Sequence, residues 1–360
     1  MRKYKLNNNL SATAGEKVWM GIDAHKETLH VTILNSEGEK VLSQSIPHGR
    51  NHVKGLVDRL EGAEIVAVYE AGPTGYRLLR WLEEFGCDAF MCPPTHVRQL
   101  RGRKRIKTDQ RDSLTLAEQA RAGMLPEVHA LEDEVYCQRQ VERTRAQLVK
   151  HRSQTKAQIK SLLLFHGVQL PEGLKANWSK AYMGWLASGP TESPDLNFCI
   201  ATLVEAIEMF DKQLKQMDKR LEEIEKSERW KKQAALLRSI PGVGALTTMV
   251  VLLEAGDVNR FERCEEFASW LGLVPTEWSS GEGQKKGSIT RAGNRRIRTG
   301  LIESSWTLIR HDPVMKGVYN RICARRGSAV AIVAVARRLA LIIRAMLRDE
   351  KPYNYEAADA

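Results

Sequence analysis

The runs Lys17–Asp23 (KVWMGID), Thr28–Leu34 (TLHVTIL) and Lys40–Ile46 (KVLSQSI), then Glu64–Glu70 (EIVAVYE) and Cys87–Cys92 (CDAFMC), decide how the first third of the chain folds. Each run is short and rich in β-branched residues, and each is set off from the next by turn formers or by a helical pattern. Helices are predicted near His52–Leu60 and Tyr76–Phe85, so three consecutive strands give way to alternating helix and strand. An α/β domain over residues 17–125 is expected.

An opening meander followed by crossovers matches a ribonuclease-H-like plan. Residues 126–230 read instead as two long, charged helices broken by the Pro- and Gly-containing stretch Gly167–Pro194. In the second of these, Leu203, Ile207, Phe210, Leu214, Met217, Leu221 and Ile224 recur four and three apart, a coiled-coil seam of about three heptads. The seam suits pairing with another copy and packing on the first helix of the same chain equally well. Residues 231–350 are again mostly helical, interrupted by the Gly-rich basic segment SSGEGQKKGSITRAGNRR from Ser279 to Arg296, expected as a loop. The fold class is thus α/β plus all-α, flanked by a loose arm at 1–16 and a tail at 351–360.

Lys and Arg outnumber Asp and Glu by 55 to 44, a formal charge of +11, which favours a polyanionic partner through counterion release. The 6 cysteines form no CxxC pair, so reduced thiols are expected rather than a zinc set or a disulfide framework. The N-terminus lacks an apolar signal stretch. Arg337, Arg338 and Arg344 interrupt the most apolar segment, Ala329–Leu347, which reads as a packed amphipathic helix rather than a membrane span. A cytoplasmic, nucleoid-associated protein is expected.

Asp23 ends the first strand run and Glu70 ends the fourth, where neutral turn residues are usual. Asp109 and Asp112 in KTDQRDS stand three apart at a predicted helix start, which puts both on one face of the first turn. Acids there also complement the helix dipole without any further role. Four convergent carboxylates repel one another unless divalent cations neutralise them, and Mg²⁺ or Mn²⁺ suits hard oxygen ligands beside phosphates. Two such ions can activate a nucleophile and stabilise a leaving oxygen in phosphoryl transfer.

GIDAHK, YEAGPTGY and KTDQRDS, followed by SIPGVG and GLVPTEWSSGEGQKKGSITRAGNRR, resemble the DEDD transposases of bacterial insertion sequence family 110, from about Val18 to about Leu347. QLPEG in the middle segment resembles the subgroup named 1111. The resemblance implies a Holliday-junction-resolvase-like (RuvC-like) domain with Asp23, Glu70, Asp109 and Asp112 as catalytic metal ligands. It further implies a helical coiled-coil middle and a C-terminal transposase domain whose catalytic serine falls on Ser280, beside Ser279. Donor and target double-stranded DNA, a structured noncoding guide RNA and a homo-oligomer, dimer or tetramer, are the implied partners. A serine hydroxyl needs a base or a metal to attack a phosphodiester, and no histidine neighbours Ser280 in sequence; activation by the distant acids would require the two ends of the chain to meet, within one subunit or across two.

Several basic groups are candidate phosphate contacts. Arg101, Arg103, Lys104, Arg105 and Lys107 precede Asp109; Lys285, Lys286, Arg291, Arg295, Arg296 and Arg298 follow the serine; and Arg139, Arg143, Arg145, Lys150, Arg152, Lys156 and Lys160 crowd the first middle helix. Gly242 and Gly244 in SIPGVG suggest a helix-hairpin-helix whose loop amides meet a nucleic-acid backbone. Two other readings stay open: a hydrolytic junction endonuclease using only the acids and water, and a non-catalytic nucleic-acid-binding dimer.

Overall fold

Along β1 (Lys17–Ala24), Val18, Met20 and Ile22 are buried on one face while Trp19, Gly21 and Asp23 take the other, the period-two alternation of an extended backbone. β2 (Thr28–Leu34) and β3 (Lys40–Pro47) extend the sheet antiparallel on one side of it. β4 (Glu64–Glu70) and β5 (Asp88–Cys92) extend it parallel on the other, giving the order β3-β2-β1-β4-β5. Parallel joins need crossovers, supplied by α1 (Arg50–Val57), which tightens into a 3-10 turn at Asp58–Leu60, and α2 (Arg77–Glu84). The meander and crossovers predicted from the sequence are therefore both present.

This computed structural model describes residues 15–97, 108–280 and 283–354, except the side chains of 277–280 and 283–286. The chain divides into two units, Met1–Ala130 and Leu131–Ala360.

In the first unit, Val18, Met20 and Ile22 pack with Ala67, Tyr69, Leu56, Leu78 and Leu82 in the core that α1 and α2 share with the sheet. Each such side chain, when fully buried, contributes about 1.5–3 kcal/mol. The opposite face is covered by α3 (Asp109–Arg121), where Val68, Cys92 and Leu116 form a smaller cluster. Gly21 sets the depth of that contact. A Cβ there would lie 2.0 Å from the Ser113 carbonyl oxygen and 2.5 Å from the Ala117 nitrogen, so α3 rests on bare backbone. Beside it, the Thr32 and Ser113 hydroxyls are 2.7 Å apart and buried, pinning the helix to β2.

In the second unit, α4 (Asp133–Phe165) and α6 (Pro194–Glu225) run antiparallel, and α5 (Lys180–Ala187) forms within the Pro/Gly-containing break. Arg145 pairs with Asp218 at 2.5 Å and Arg152 with Asp211 at 2.5 Å, a constant register along the hairpin. Ile159 and Leu163 meet Ile200, Val204 and Ile207 further along, with Tyr182 and Leu186 of α5. Ile207, Leu214, Leu221 and Ile224 of the predicted seam are buried against their own chain. Ser193 starts α6 as its cap, accepting from the Leu196 N–H at 3.3 Å, with Pro194 in the first turn.

The rest comprises α7 (Lys231–Arg238), α8 (Ala245–Ala255), α9 (Cys264–Trp270), α10 (Arg295–His311), α11 (Pro313–Arg326) and α12 (Ser328–Asp349). The segment expected as a loop forms instead a two-stranded hairpin, β6 (Pro275–Ser280) and β7 (Gly283–Ile289). Its register shifts between Pro275 and Glu277, where the Thr276 hydroxyl donates to the Ser288 carbonyl at 3.1 Å. A Cβ on Gly287 would lie 2.4 Å from that hydroxyl, so the glycine that looked like a loop signal makes room for the strand pair. The apolar C-terminal segment is the packed helix α12, whose buried Arg344 donates to the carbonyls of Phe261 and Glu262. Among the described residues no helix is long and apolar enough to cross a membrane.

Gly21→Ala forces α3 off the sheet and is expected to cost about 3 kcal/mol or more, since the obstructing atoms are backbone. Gly55→Ala, in the exposed part of α1 with open space around it, is expected to gain up to about 1 kcal/mol. Urea unfolding of the two full-length variants tests this pair; equal midpoints would refute the account of α3 docking.

Candidate functional site

β1 and β4 stay in parallel register from Lys17 opposite Glu64 to Ile22 opposite Tyr69. One further step brings Asp23 level with Glu70 at the strand ends, on the face that Gly21 and Val68 present to α3. Because Ser113 and Ala117 sit on Gly21, the first turn of α3, with Asp109 and Asp112, overhangs the same strand ends. His25 Nε2 lies 3.3 Å from Asp23 Oδ2 and 3.4 Å from Asp109 Oδ1. Ligand atoms of Asp23, His25 and Asp109 all fall within 4.8 Å of one another. Glu70 and Asp112 occupy the adjoining strand end and the same helical turn, outside that three-residue group. The Asp109 side chain is 59% exposed and open to a ligand from solvent, whereas that of Asp23 is 20% exposed and its Oδ2, facing His25, is buried. Two carboxylates and an imidazole at this spacing fit a divalent cation.

A part-buried polar network lies beside the group. His30, opposite Asp23 on β2, is 2.9 Å from the Ser45 hydroxyl through Nδ1 and 3.2 Å from that of Ser43 through Nε2. Ser43 also contacts Thr32 at 3.2 Å, and Thr32 contacts Ser113 of α3. Burial lowers the His30 pKa below 6.5 despite the opposing charges of Asp109 and Asp23, favouring a neutral ring. Beneath Glu70, the buried Tyr69 hydroxyl donates to the Gly75 carbonyl at 2.9 Å and accepts from the Leu79 N–H at 3.2 Å, fixing the loop after β4. Burial and then the charge of Glu70 push the Cys92 thiol up to about 12, leaving it unreactive.

In the second unit, Ser280 ends β6 opposite Gly283, while Lys285 and Lys286 lie on β7 opposite Trp278 and Glu277. The side chains of Ser280, Lys285 and Lys286 lie outside the described residues, as do Arg101, Arg103, Lys104, Arg105 and Lys107 entirely. Arg291 and Arg295 are exposed. Arg296 and Arg298, expected to clamp phosphate, are taken up inside the unit. Arg298 is 8% exposed and donates to the Leu271 carbonyl at 2.7 Å. Arg296 grips Glu142 through Nε at 3.0 Å and Nη2 at 2.6 Å and stands 3.4 Å from Glu254.

Glu142 and Glu254 are the acids that sequence reasoning passed over. Both are 3% exposed. Glu254 receives both ends of the Arg143 guanidinium at 2.8 Å and the Asn294 amide at 3.0 Å. Asn294 Oδ1 in turn caps α10, accepting from the Arg296 and Ile297 N–H groups at 3.0 and 3.1 Å. Burial alone would raise the Glu254 pKa, but the Arg143 hydrogen bonds and charge, with Asn294 and Arg139, leave it lowered. The available signal was an acid within the apolar run MVVLLEA, which demands a buried partner. Much of the dense basic face of α4 is likewise engaged within the unit, since Arg143, Arg145 and Arg152 hold acids and Lys156 and Lys160 lie over the Trp178 ring, while Lys150 is exposed.

Of the two SIPGVG glycines, Gly242 (φ +89°) serves packing, since a Cβ would lie 2.6 Å from the Ser304 carbonyl oxygen and 2.7 Å from Thr307 Cβ. Gly244 caps α8 with nothing within 4 Å of its Cβ position, leaving that helix start accessible.

Comparison with known proteins gives this geometry a context. Residues 20–167 match the DEDD transposase family model of the IS110 type, and residues 234–320 match that of the transposase IS116/IS110/IS902 family. The transposase for insertion sequence element IS1533 of Leptospira borgpetersenii is 28% identical over 348 residues, 93% of this chain and 97% of its own. That for element IS1111A of Coxiella burnetii is 25% identical over 346 residues, 93% of this chain and 91% of its own.

Two outcomes follow from these contacts. Because the His30 pKa is lower in the folded chain than its ordinary 6.5, the unfolded chain takes up the proton first. Stability owed to neutral His30 is complete above that value and declines as pH falls below it. Unfolding midpoints measured from pH 7 down to about pH 5 should fall less steeply in His30→Asn than in the wild type; parallel slopes would exclude this role. Separately, Glu254→Ala should cost about 3 kcal/mol, the low end for breaking a buried pair because Arg143 is 41% exposed. A urea midpoint within about 0.5 kcal/mol of wild type would mean the network is not structural.

Proposed function

Because the chain belongs to the IS110/IS116/IS902 family of transposases, DNA-processing enzymes of insertion-sequence transposition, we propose that it cuts and rejoins DNA through a protein-bound intermediate. In this reading Asp23, Glu70, Asp109 and Asp112 hold Mg²⁺ or Mn²⁺, and Ser280 is the nucleophile. The observation that carries it is the convergence of Asp23 and Asp109, with ligand atoms within 4.8 Å, at a strand end where the register also puts Glu70.

A bound divalent cation supplies positive charge that lets the carboxylates coexist and that stabilises charge developing on the scissile phosphate. The protein's own groups do the rest. The rigid sheet and the α3 contact orient the carboxylates, and the network through His30, Ser43, Thr32 and Ser113 keeps them from relaxing apart. Ser280 Oγ bonds to phosphorus as one P–O bond to deoxyribose breaks, its proton passing to a base and the leaving oxygen gaining one. The phosphodiester energy is kept in the protein–DNA ester, so a free DNA hydroxyl can reverse the step without ATP.

Double-stranded donor and target DNA are the substrates in this reading, a structured noncoding RNA selects them, and the protein acts as a homo-oligomer. The exposed Arg291 and Arg295 and the open helix start at Gly244 support backbone contact, and the basic segment before Asp109 is proposed to act likewise.

Ser280→Ala is expected to retain DNA and RNA binding while strand exchange falls by more than about a thousandfold, the scale on which loss of a covalent nucleophile acts. Labelled DNA trapped with the wild type after denaturation should stay attached to protein, and should not with the variant. Cleavage without attached DNA in the wild type would instead favour a hydrolytic junction endonuclease.

A further inference from the structure

His25 follows Asp23 by two residues, so the alternation of an extended chain returns it to the same face. Its backbone is tied on both sides: the N–H donates to the Thr28 carbonyl at 2.9 Å, and the carbonyl lies 2.6 Å from His48 Nδ1. The imidazole is thereby held over the strand end, with Nε2 facing Asp23 and Asp109.

The distances discriminate between two roles. A charge-assisted N–H···O bond is typically about 2.7–2.9 Å, and both contacts, at 3.3 and 3.4 Å, are longer. Around a cation with bonds of about 2.1 Å, neighbouring ligand atoms stand about 3.0 Å apart in an octahedron and about 3.4 Å in a tetrahedron. The observed spacing suits ligands sharing an ion better than a histidine bridging two acids directly.

We propose that His25 is a nitrogen ligand of the cation held by Asp23 and Asp109, so that one metal position has a mixed Asp–His–Asp donor set rather than carboxylates alone. The assignment rests on the metal-centre reading above. An imidazole donor suits first-row transition ions better than Mg²⁺, so the site should bind Mn²⁺ more tightly than Mg²⁺.

Pulsed electron paramagnetic resonance on full-length protein loaded with Mn²⁺ tests the assignment without reference to activity. The wild type should give nitrogen-14 modulation that disappears in His25→Gln. Mn²⁺ affinity of that variant should fall at least about tenfold, the least that loss even of an outer partner of a metal site usually costs, with circular dichroism unchanged. If Asp23→Asn abolishes Mn²⁺ binding but the wild-type echo carries no nitrogen modulation, or if the modulation persists in His25→Gln, the metal centre stands and the His25 assignment falls. If Asp23→Asn leaves Mn²⁺ affinity unchanged, the metal centre itself is wrong and the assignment falls with it.

Discussion

The approach of α3 to β1 over Gly21 is the constraint on which the candidate centre depends. Carboxylates do not assemble by attraction; they are forced together by the scaffold, and the force here is close packing of a helix on a strand that lacks a side chain at the contact. The hydroxyl pair of Thr32 and Ser113 then fixes the helix along the strand, and one turn of α3 converts that fix into the position of Asp109. Local geometry and the energetics of one buried contact thus determine whether the acids converge.

In the second unit the organising principle is electrostatic. Glu142 and Glu254 are surrounded by Arg143, Arg296 and Asn294, and the same Asn294 caps α10. The residues that follow the serine hairpin are therefore anchored to α4 and α8 by charge-assisted bonds in a low-dielectric setting, where such bonds are short and orientationally strict. Basic residues that look alike in sequence separate into two populations: Arg296 and Arg298 face inward, Arg291 and Arg295 face water.

Much of this was legible from the chain alone. Strand alternation revealed Asp23 and Glu70 because acids ending apolar runs are conspicuous, and the three-residue spacing of Asp109 and Asp112 places them on one helical turn whatever surrounds it. His25 was not singled out because a polar residue just past a strand looks like a turn residue; the position of α3 adds Asp109 to its neighbour Asp23. The β6–β7 hairpin was missed because its Ser, Gly and Lys content signals a loop, whereas its strands are stabilised by pairing with each other. The inward-facing arginines were unreadable for a related reason: an ion pair such as Arg296–Glu142 joins residues far apart in sequence, and no local pattern announces it. Of the residues in the expected heptad seam, Ile207, Leu214, Leu221 and Ile224 are buried, but periodicity does not identify what covers them.

The constant register of α4 against α6, fixed by Arg145–Asp218 and Arg152–Asp211, makes the hairpin a ruler about 50 Å long at 1.5 Å per residue. Such a ruler tolerates lengthening only symmetrically. Adding residues to one arm alone would slide every rung beyond the insertion out of register, whereas matched additions of whole heptads on both arms would keep the pairs aligned. The reach of the hairpin would then change in coarse steps, with the pairs on either side of the insertion keeping their partners.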